Sequence, residues 1–452
     1  MSLESVLVGL SLLAGLKLYH WNSPRPFELS TAWPGFTLQA LLIVGIFQVC
    51  FFYNNLYQLN GGRRRSEQLV RLCESLGAAC LLLALLDYLL PALALSRGVF
   101  VITVALVAGC AALMRLSMDT GLWARALSQN VLILGTGELA STLSIELARR
   151  ADLSVSLVGF VSGAGEGAES EELVGGRILG STDDLETIAC QHRVSRIIVA
   201  IEDRRGSLPV QALVKLRVRG VKVEDAPSAL AGLSGRVWLS TVRPSWFVFS
   251  DGFHRSKAVA VGKRAIDLFF GLAGLILSAP VMALVAVAVR LDSPGPILYR
   301  QRRMGFGGRL FEVLKFRSMR EDAEDQNGAQ WAEEDDPRVT RVGRFIRTYR
   351  LDELPQYLNV VCGEMSFVGP RPERPEFVDI LRQQIPYYDE RHSVRPGITG
   401  WAQVQYPYAA SVEDSYRKLE YDLFYLKNMS VLLDVVIVVR TVGIVLFGRG
   451  SR

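Results

Sequence analysis

The stretch TYRLDELPQ contains two adjacent acidic residues, Asp352 and Glu353, shortly before Pro355 in an arginine-rich part of the chain. A carboxylate can accept a phosphoryl group as an acyl phosphate, and nearby arginines would offset its repulsion from other anions. Pro355 suits the first turn of a helix, whose free N–H groups and positive dipole would keep Asp352 ionised. Because adjacent helical residues point in different directions, we expect distinct roles for the two carboxylates. Taken alone, such a pair could simply favour a helix N-terminus.

Five cations are candidates for binding phosphate groups. Arg371 and Arg374 lie in the proline-stiffened turn GPRPERP, and Arg395 precedes a Pro-Gly pair in the same manner. Fixed guanidinium groups suit a diphosphate because they present paired N–H donors. Lys315 and Arg317 alternate along a strand-like stretch, so both could face one side of it. For these two residues, anchoring to lipid headgroups is an equally good interpretation.

The composition indicates a membrane protein. The chain has 452 residues, half of them hydrophobic, and its mean hydropathy is positive. These values are high for a soluble enzyme, and the length allows two or three domains. Four apolar stretches before residue 118 predict a four-helix transmembrane domain over residues 1–117, and Arg63–Arg65 predict a cytoplasmic loop between the second and third. The six cysteines include no Cys-x-x-Cys pair, so neither a zinc site nor a disulfide framework is expected.

Residues 128–250 show the strand–helix alternation of a small parallel α/β domain. The run NVLILGTGELASTLSIELARR leads from a β-rich segment through Gly135-x-Gly137 into a helical pattern, which is a Rossmann-like opening. The dinucleotide fingerprint is incomplete, because Ala140 replaces the third glycine and no acidic residue ends the second predicted strand. We therefore favour a structural or regulatory nucleotide-binding role over catalysis with a nicotinamide cofactor.

A second membrane contact is predicted at the apolar run 265–289, which is long enough to cross a bilayer. Basic residues flank both ends of the run, so neither end is favoured on the outer side. Pro280 lacks an N–H for the carbonyl four residues back and predicts a bend, where the Ser278 hydroxyl could satisfy a freed backbone group. We therefore favour a re-entrant helix, which enters and leaves by one face, over a straight span.

The apolar tail of the chain contains two charged residues, Asp434 and Arg440. A helix that crosses the membrane would bury both charges at considerable cost. An interfacial helix would leave both in water, and this placement is favoured.

The final region carries a series of motifs in a defined order. They are KRxxD from Lys263, Ser-x-Pro from Ser278, QxR from Gln301 with Gly305 and Gly308, KFR from Lys315, DELPQ from Asp352, GPRP from Gly369 and RPGITG from Arg395. In order and spacing, they resemble the bacterial sugar transferase family, the monotopic polyprenyl-phosphate glycosyl-1-phosphate transferases. With the predicted membrane helices and middle domain, the whole chain is similar to the long form of that family.

The resemblance implies a specific reaction. A sugar-1-phosphate would pass from a UDP-sugar to undecaprenyl phosphate, with release of UMP, at the start of exopolysaccharide or other glycan assembly. Asp352 would be the nucleophile that forms a phosphosugar-enzyme intermediate, and Glu353 would hold Mg²⁺ or the geometry of the aspartate. Mg²⁺ at these two carboxylates, together with the five candidate cations, would offset the charge of the diphosphate.

The expected fold is a multi-domain integral membrane protein. It combines an α-helical membrane bundle, a Rossmann-like α/β middle domain and a mostly α catalytic domain over 258–452 with a re-entrant helix and interfacial helices. The expected location is the bacterial cytoplasmic (inner) membrane, with the catalytic domain on the cytoplasmic face. Membrane lipids and the two substrates are the expected partners, a homodimer is a further expectation by analogy, and no nucleic acid is expected.

Two other functions stay open at this point. A membrane-anchored nucleotide-sugar dehydratase or epimerase would also join four helices to a Rossmann domain, but it needs a Tyr-x-x-x-Lys pair that the chain lacks. A non-catalytic scaffold that senses a nucleotide is the other alternative, and the intact Asp-Glu pair with its arginines argues against it.

Overall fold

The structure is a computed structural model, and it describes most of the chain. The described residues are 2–19, 33–53, 65–89, 97–119, 129–150, 155–163, 176–201, 208–253, 256–320, 323, 338–406 and 411–447. The chain forms two compact units, Met1–Ala226 and Pro227–Arg452. The first contains four helices and a parallel sheet, and the second contains further helices and two small sheets.

Four helices occupy the apolar stretches near the N-terminus. They are α1 (Ser2–Tyr19), α2 (Trp33–Tyr53), α3 (Arg65–Leu89) and α4 (Arg97–Asp119). Apolar side chains from all four, among them Leu12, Phe47, Leu72 and Val107, share one buried core. The predicted helices are therefore confirmed, whereas their crossing of a membrane stays a prediction. Residues 63–64, which carry much of the predicted orientation, lie outside the described part of the chain.

A five-stranded parallel sheet with connecting helices forms the rest of the first unit. Its elements are β1 (Gln129–Leu134), α5 (Glu138–Arg149), β2 (Val155–Ser162), β3 (Ile178–Ser181), α6 (Leu185–Gln191), β4 (Arg196–Val199), α7 (Val210–Val218) and β5 (Lys222–Asp225). The strand order β3-β2-β1-β4-β5 is that of a doubly wound sheet, so the predicted Rossmann-like fold is confirmed. The sequence patterns do not predict β3 and β5, because ILGS and KVED lack the continuous apolar run that marks β4.

The turn that follows β1 requires glycine for steric reasons. Gly135 has φ of +124°, and a Cβ atom there would lie 2.9 Å from the carbonyl carbon of Ala200, just after β4. Gly137 is the N-cap residue of α5, with no side chain that caps this end. The Gly-x-Gly pattern thus allows the β1–α5 turn to pack closely against the neighbouring strand.

The division between the two units falls at Ala226, before the predicted domain limit of residue 250. The segment after the division forms α8 (Ala226–Ser234) and α9 (Pro244–Phe249). Trp246 on α9 is buried in the same hydrophobic core as Tyr388 and Trp401, far along the chain. The location of this boundary depends on long-range packing, which strand and helix patterns do not report.

We expect residues 227–452 to fold without the first unit and residues 251–452 not to. The shorter chain loses Trp246, and removing one buried tryptophan side chain costs about 3–5 kcal/mol. In the full chain, Trp246→Ala should lower the thermal unfolding midpoint, whereas Phe249→Ala should not, because Phe249 is 84% exposed. Thermal unfolding in detergent and limited proteolysis would measure both. Equal stability of the two truncated chains would contradict the assignment of α8 and α9 to the second unit.

The second unit is mostly α-helical, as predicted, with two small sheets. Its remaining elements are α10 (Lys257–Asp292), β6 (Leu298–Met304), β7 (Leu310–Phe316), α11 (Arg341–Thr348), α12 (Gln356–Cys362), β8 (Ser366–Val368), α13 (Pro375–Gln384), β9 (Gly397–Thr399), α14 (Trp401–Gln405), α15 (Val412–Asn428) and α16 (Val431–Phe447). Strands β6 and β7 form an antiparallel hairpin, and β8 pairs with β9 in parallel.

Helix α10 is, in the described part of the chain, the one helix long and apolar enough by itself to cross a membrane. Both ends of α10 bond to other parts of the second unit. The Arg264 side chain, near the start of the helix, donates to the Val360 carbonyl at 2.8 Å. The carboxylate of Asp292, the last helical residue, accepts from the Val342 N–H at 3.1 Å. Large apolar side chains spaced three to five residues apart along the helix are exposed: Phe269, Leu272, Ile276, Val281, Leu284, Val287 and Leu291. The helix thus packs on one domain at both ends and leaves an apolar stripe uncovered.

The predicted bend residues lie in the middle of α10. The helix is continuous through Pro280. The sequence suggested that the Ser278 hydroxyl would bond to a backbone group freed by the proline. The hydroxyl instead donates to Met282 Sδ at 3.4 Å. The sulfur lies one turn ahead on the same helix face, which places it within reach of the hydroxyl.

The expected exposure of Asp434 is wrong. This residue of α16 is 1% exposed, and its carboxylate accepts from Lys263 Nζ at 2.8 Å and from the Tyr425 hydroxyl at 2.7 Å. Lys263 also donates to the Val368 carbonyl at 2.7 Å. Pairing with a cation and a hydroxyl offsets the free-energy cost of removing the carboxylate from water. Arg440 lies over the Trp401 ring, 5.0 Å from its centroid.

Candidate active site

The acidic pair lies in a tight turn between two short helices. Arg350, after α11, has a left-handed conformation with φ of +53°, and a 3-10 turn over Leu351–Glu353 follows. The Glu353 N–H donates to the Arg350 carbonyl at 3.3 Å. Pro355 is then the N-cap residue of α12. Pro355 therefore caps α12 instead of lying in its first turn as predicted, and Asp352 lies before the helix.

Glu353 forms an ion pair with Arg371. The guanidinium Nη2 donates to Glu353 Oε1 at 2.6 Å, and both side chains are largely buried. Burial alone would raise the pKa of Glu353, but the charges of Arg371 and Lys315 and the hydrogen bond outweigh it and lower this pKa well below its usual value. Glu353 is thus a permanent anion at neutral pH.

Asp352 has the opposite electrostatic environment. Burial, followed by the negative charge of Glu353, raises its pKa to about 6, against the opposing effects of Lys315, Arg347 and Arg371. The sequence predicted that a helix dipole keeps Asp352 ionised, whereas desolvation and the neighbouring anion are the larger effects and raise the pKa of this carboxyl. A carboxylate with a raised pKa is more basic, which favours nucleophilic attack once its proton has left.

Lys315, near the end of β7, is the cation that faces this pair. Burial lowers its pKa to about 8, and the charges of Arg371 and Arg303 act in the same direction. Glu353 and Asp352 oppose this effect and favour the protonated amine. The structure thus brings together Asp352, Glu353, Lys315 and Arg371, which the sequence analysis selected from three separate motifs.

The Arg317 side chain bonds to the end of α10 and not to the acidic pair. Its guanidinium is buried and donates to the carbonyls of Ser293 and Pro294, each at 2.7 Å, and to Ser293 Oγ at 3.0 Å. These groups follow the last turn of α10, where helix carbonyls lack intrahelical partners. The prediction of substrate binding by Arg317 therefore does not fit its position, since its two terminal nitrogens both bond to the end of α10.

The other two predicted cations, Arg374 and Arg395, lie in or next to the two loops that carry the GPRP and RPGITG motifs. Arg374 is the N-cap residue of α13, forms an ion pair with Glu376 at 3.5 Å and lies 6.0 Å from the Phe377 ring centroid. Arg395 is exposed, and its backbone carbonyl lies against Gly369. Substrate binding by these two residues stays a prediction.

Close backbone packing holds the loop that carries Arg371. The Gly397 N–H donates to the Pro370 carbonyl at 2.9 Å, and a Cβ atom on Gly397 would lie 2.1 Å from the Gly369 nitrogen. Only glycine fits at this contact, which explains why GPRP and RPGITG occur together. The Arg371 carbonyl also accepts from Arg391 Nη2 at 3.1 Å.

Three further arginines contribute to the site but received no role from the sequence. Arg303 on β6 donates to Gln301 Oε1 and to the Pro372 carbonyl, and its charge lowers the pKa of Lys315. Arg347 lowers the pKa of Asp352, and Arg350 lowers that of Glu353. Two sequence features could have indicated these arginines: the QxR motif contains Arg303, and Arg347 and Arg350 lie just before the acidic pair.

The donor chemistry of the acidic pair fits Mg²⁺. This ion is usually held by one or two carboxylates together with substrate phosphates, and Asp352 and Glu353 supply two adjacent carboxylates. The described residues contain no cluster of three or more His, Cys, Asp or Glu side chains that could hold a metal alone. Any Mg²⁺ at this site would therefore take its remaining ligands from water or from the substrate.

The chain matches two known protein families. A family model described as bacterial sugar transferase matches residues 258–448, and one described as CoA-binding domain matches residues 53–227. The chain is 50% identical over 197 residues (44% of this chain, 46% of the relative) to the UDP-N-acetylgalactosamine-undecaprenyl-phosphate N-acetylgalactosaminephosphotransferase of Aeromonas hydrophila. It is 33% identical over 359 residues (78% of this chain, 65% of the relative) to the undecaprenyl-phosphate glucose phosphotransferase of Komagataeibacter xylinus.

The extent of these matches differs between relatives. The chain spans less than two thirds of the length of the two relatives just named. It covers 80% of the UDP-glucose:undecaprenyl-phosphate glucose-1-phosphate transferase of Caulobacter vibrioides, with 44% identity over 225 residues, which are 49% of this chain. The motifs that resemble the family lie within the matched residues 258–448. The chain therefore belongs to the bacterial sugar transferase family.

Proposed function

We propose that this protein transfers a sugar-1-phosphate from a UDP-sugar to undecaprenyl phosphate and releases UMP. The observation that carries the proposal is that the Asp352 carboxylate, whose pKa is raised, lies within the electrostatic influence of Lys315 and next to the Glu353–Arg371 ion pair. The names of the relatives support the same reaction, since each describes an undecaprenyl-phosphate sugar phosphotransferase.

The reaction would proceed in two displacements at one phosphorus atom. The Asp352 carboxylate attacks the sugar-bearing phosphorus, a P–O bond to the uridine-linked phosphate breaks, and UMP leaves with the bridging oxygen. The phosphate oxygen of undecaprenyl phosphate then attacks the same phosphorus and breaks its bond to Asp352. The products are a lipid-linked diphosphosugar and the free carboxylate.

The cations of the site would make this attack feasible. An anionic nucleophile approaches an anionic diphosphate, so Lys315 and the surrounding arginines would offset the repulsion and stabilise charge on the leaving UMP. Glu353, held by Arg371, would stay ionised and fix the position of the neighbouring Asp352. Mg²⁺ at the two carboxylates would supply further charge neutralisation on the diphosphate oxygens.

We further propose that α10 is a re-entrant membrane helix and that the four N-terminal helices span the bacterial inner membrane, with the second unit on the cytoplasmic face. Support comes from the bonds of Arg264 and Asp292 to one domain and from the exposed apolar stripe between them. This placement would let the site reach UDP-sugars in the cytoplasm and the lipid phosphate at the bilayer surface. The Rossmann-like domain would be regulatory, and a homodimer stays a prediction.

The re-entrant placement predicts that both ends of α10 are accessible from the cytoplasm. Single cysteines at Lys257 and Arg290, both exposed, would be introduced into a cysteine-free chain. In inverted vesicles, an impermeant thiol reagent should label both positions to a similar extent. Labelling of one position from each side of the membrane would instead support a straight span.

The function is tested with purified full-length protein, Mg²⁺, undecaprenyl phosphate and a panel of UDP-sugars. Release of UMP together with a lipid-linked product from at least one sugar supports the proposal. Oxidation or epimerisation of the sugar with NAD would support the dehydratase or epimerase alternative. A folded protein that is silent with every sugar would favour the scaffold.

The pH dependence of kcat/KM should be bell-shaped. Activity needs Asp352 without its proton, so kcat/KM should rise with pH through about 6. Activity also needs Lys315 as a cation, so kcat/KM should fall as pH rises through about 8. Lys315→Arg should remove the alkaline limb because a guanidinium does not titrate there. A profile that is flat from pH 5 to 9 would contradict both assignments.

A further inference from the structure

Asn359 of α12 makes three side-chain hydrogen bonds while only 2% exposed. Its Oδ1 accepts from the Leu314 N–H at 3.0 Å, and its Nδ2 donates to the Glu312 carbonyl at 2.7 Å and to Glu364 Oε2 at 2.7 Å. Both amide hydrogens and the carbonyl oxygen therefore have partners. Two of these partners are backbone groups of β7, more than forty residues earlier in the chain.

The two backbone groups lie on the same edge of β7. In a strand, the carbonyl of one residue and the N–H of the residue two positions later point to the same side. The opposite edge of β7 pairs with β6, where Lys315 lies opposite Tyr299. The Asn359 amide thus takes the place of a neighbouring strand and determines the position of β7 along α12.

This contact joins the two elements that carry opposite charges of the active site. Lys315 directly follows Leu314, whose N–H is bonded to Asn359. Asp352 and Glu353 directly precede α12, the helix that contains Asn359. A shift of β7 relative to α12 would therefore change the distance between Lys315 and the two carboxylates.

We propose that Asn359 is a positioning residue for phosphosugar transfer, whose amide fixes the position of Lys315 relative to Asp352 and Glu353. The proposal rests on the proposed function, since it assigns Asn359 an effect on that reaction. Asn359 itself would touch neither the UDP-sugar nor the lipid phosphate. Its effect on catalysis passes through the Lys315 ammonium, and a displacement of catalytic groups by about 1 Å can lower a rate by about 10²-fold.

The decisive variant is Asn359→Leu, which is close in size and removes all three hydrogen bonds. The matched control is Glu364→Gln, whose Oε1 can still accept from Asn359 Nδ2 and which leaves both bonds to β7 intact. We expect Asn359→Leu to lower kcat by about 10²-fold with little change in KM. Glu364→Gln should keep both constants near those of the unaltered enzyme.

A second readout requires no turnover. Lysine labelling with an amine-specific acylating reagent at one fixed pH, followed by mass spectrometry, reports how accessible Lys315 is in the full-length protein. In the unaltered chain and in Glu364→Gln, labelling of Lys315 should be slow, because its side chain is half-buried. In Asn359→Leu, labelling of Lys315 should be faster, because the amine leaves this half-buried position.

The two readouts separate failure of this inference from failure of the proposed function. A folded Asn359→Leu variant with an unchanged Lys315 labelling rate overturns the positioning role, whatever the enzyme assay shows. Absence of transfer by the unaltered enzyme with every UDP-sugar overturns the proposed function, and the labelling still reports on the contact. If Asn359→Leu does not fold, the double variant Asn359→Asp/Glu364→Gln replaces it. That variant keeps the Leu314 contact, loses the donor to Glu312 and should also be labelled faster at Lys315, and an unchanged labelling rate again overturns the role.

Discussion

Asp352→Asn should abolish UMP release, with a fall in rate of at least about 10³-fold, because the amide cannot form the acyl phosphate. The substitution preserves the size of the side chain, so the 3-10 turn over Leu351–Glu353 should persist. The measurement is UMP formation with the active UDP-sugar, together with intact-protein mass spectrometry of enzyme mixed with that sugar alone. The unaltered chain should gain the mass of a phosphosugar, and Asp352→Asn should not.

Glu353→Gln provides the matched control for this substitution. It removes the neighbouring anion but leaves the Asp352 nucleophile, so the phosphosugar adduct should still form, although more slowly. The acid limb of the pH profile should also move to lower pH, because the charge of Glu353 is one cause of the raised pKa of Asp352. An adduct of full yield in Asp352→Asn would contradict the assignment of the nucleophile.

Arg371→Ala should lower both activity and stability. It removes the cation that contacts Glu353 at 2.6 Å and leaves a largely buried carboxylate without this partner. Breaking such a pair costs about 3 kcal/mol, and Glu353 would take up a proton at higher pH. We expect a fall in kcat of about 10²-fold, since the charge that faces the diphosphate and the geometry of the acidic turn both change. Steady-state kinetics and thermal unfolding of the same preparation would measure the two effects.

Two further variants define the origin of the Arg371 effect. Arg371→Lys keeps the charge but loses the fork of N–H donors, so it should recover part of the stability and less of the activity. Arg382→Ala removes an exposed arginine that pairs with Asp389 on the surface and should change neither quantity measurably. Equal effects of Arg371→Ala and Arg382→Ala would show that the Glu353 pair has no special importance.

The sequence-based predictions succeeded where they depended on local patterns along the chain. Long apolar stretches located the four N-terminal helices and α10, and strand–helix alternation indicated the Rossmann-like sheet. The motifs DELPQ and GPRP selected Asp352, Glu353 and Arg371, which the structure brings into contact or into one electrostatic cluster. The two edge strands β3 and β5 escaped detection, since neither contains a continuous apolar run.

Several predictions failed because they depended on contacts between distant segments. Arg317 lies one residue beyond Phe316 in a motif with Lys315, yet its side chain bonds to the end of α10 while Lys315 faces the acidic pair. Asp434 was expected in water, and only the approach of Lys263 and Tyr425 allows its burial. A sequence reveals which charges exist, but it does not reveal which of them will meet.

By itself, the sequence determined the family, the succession of domains and the chemical types of the reactive residues, because these follow from local patterns and motif order. The tertiary structure alone decided which cations surround Asp352, that its pKa is raised, and that Asn359 joins β7 to α12. The physical reason is that burial and Coulomb interactions depend on distances between groups far apart in the chain, and only the packed fold determines those distances.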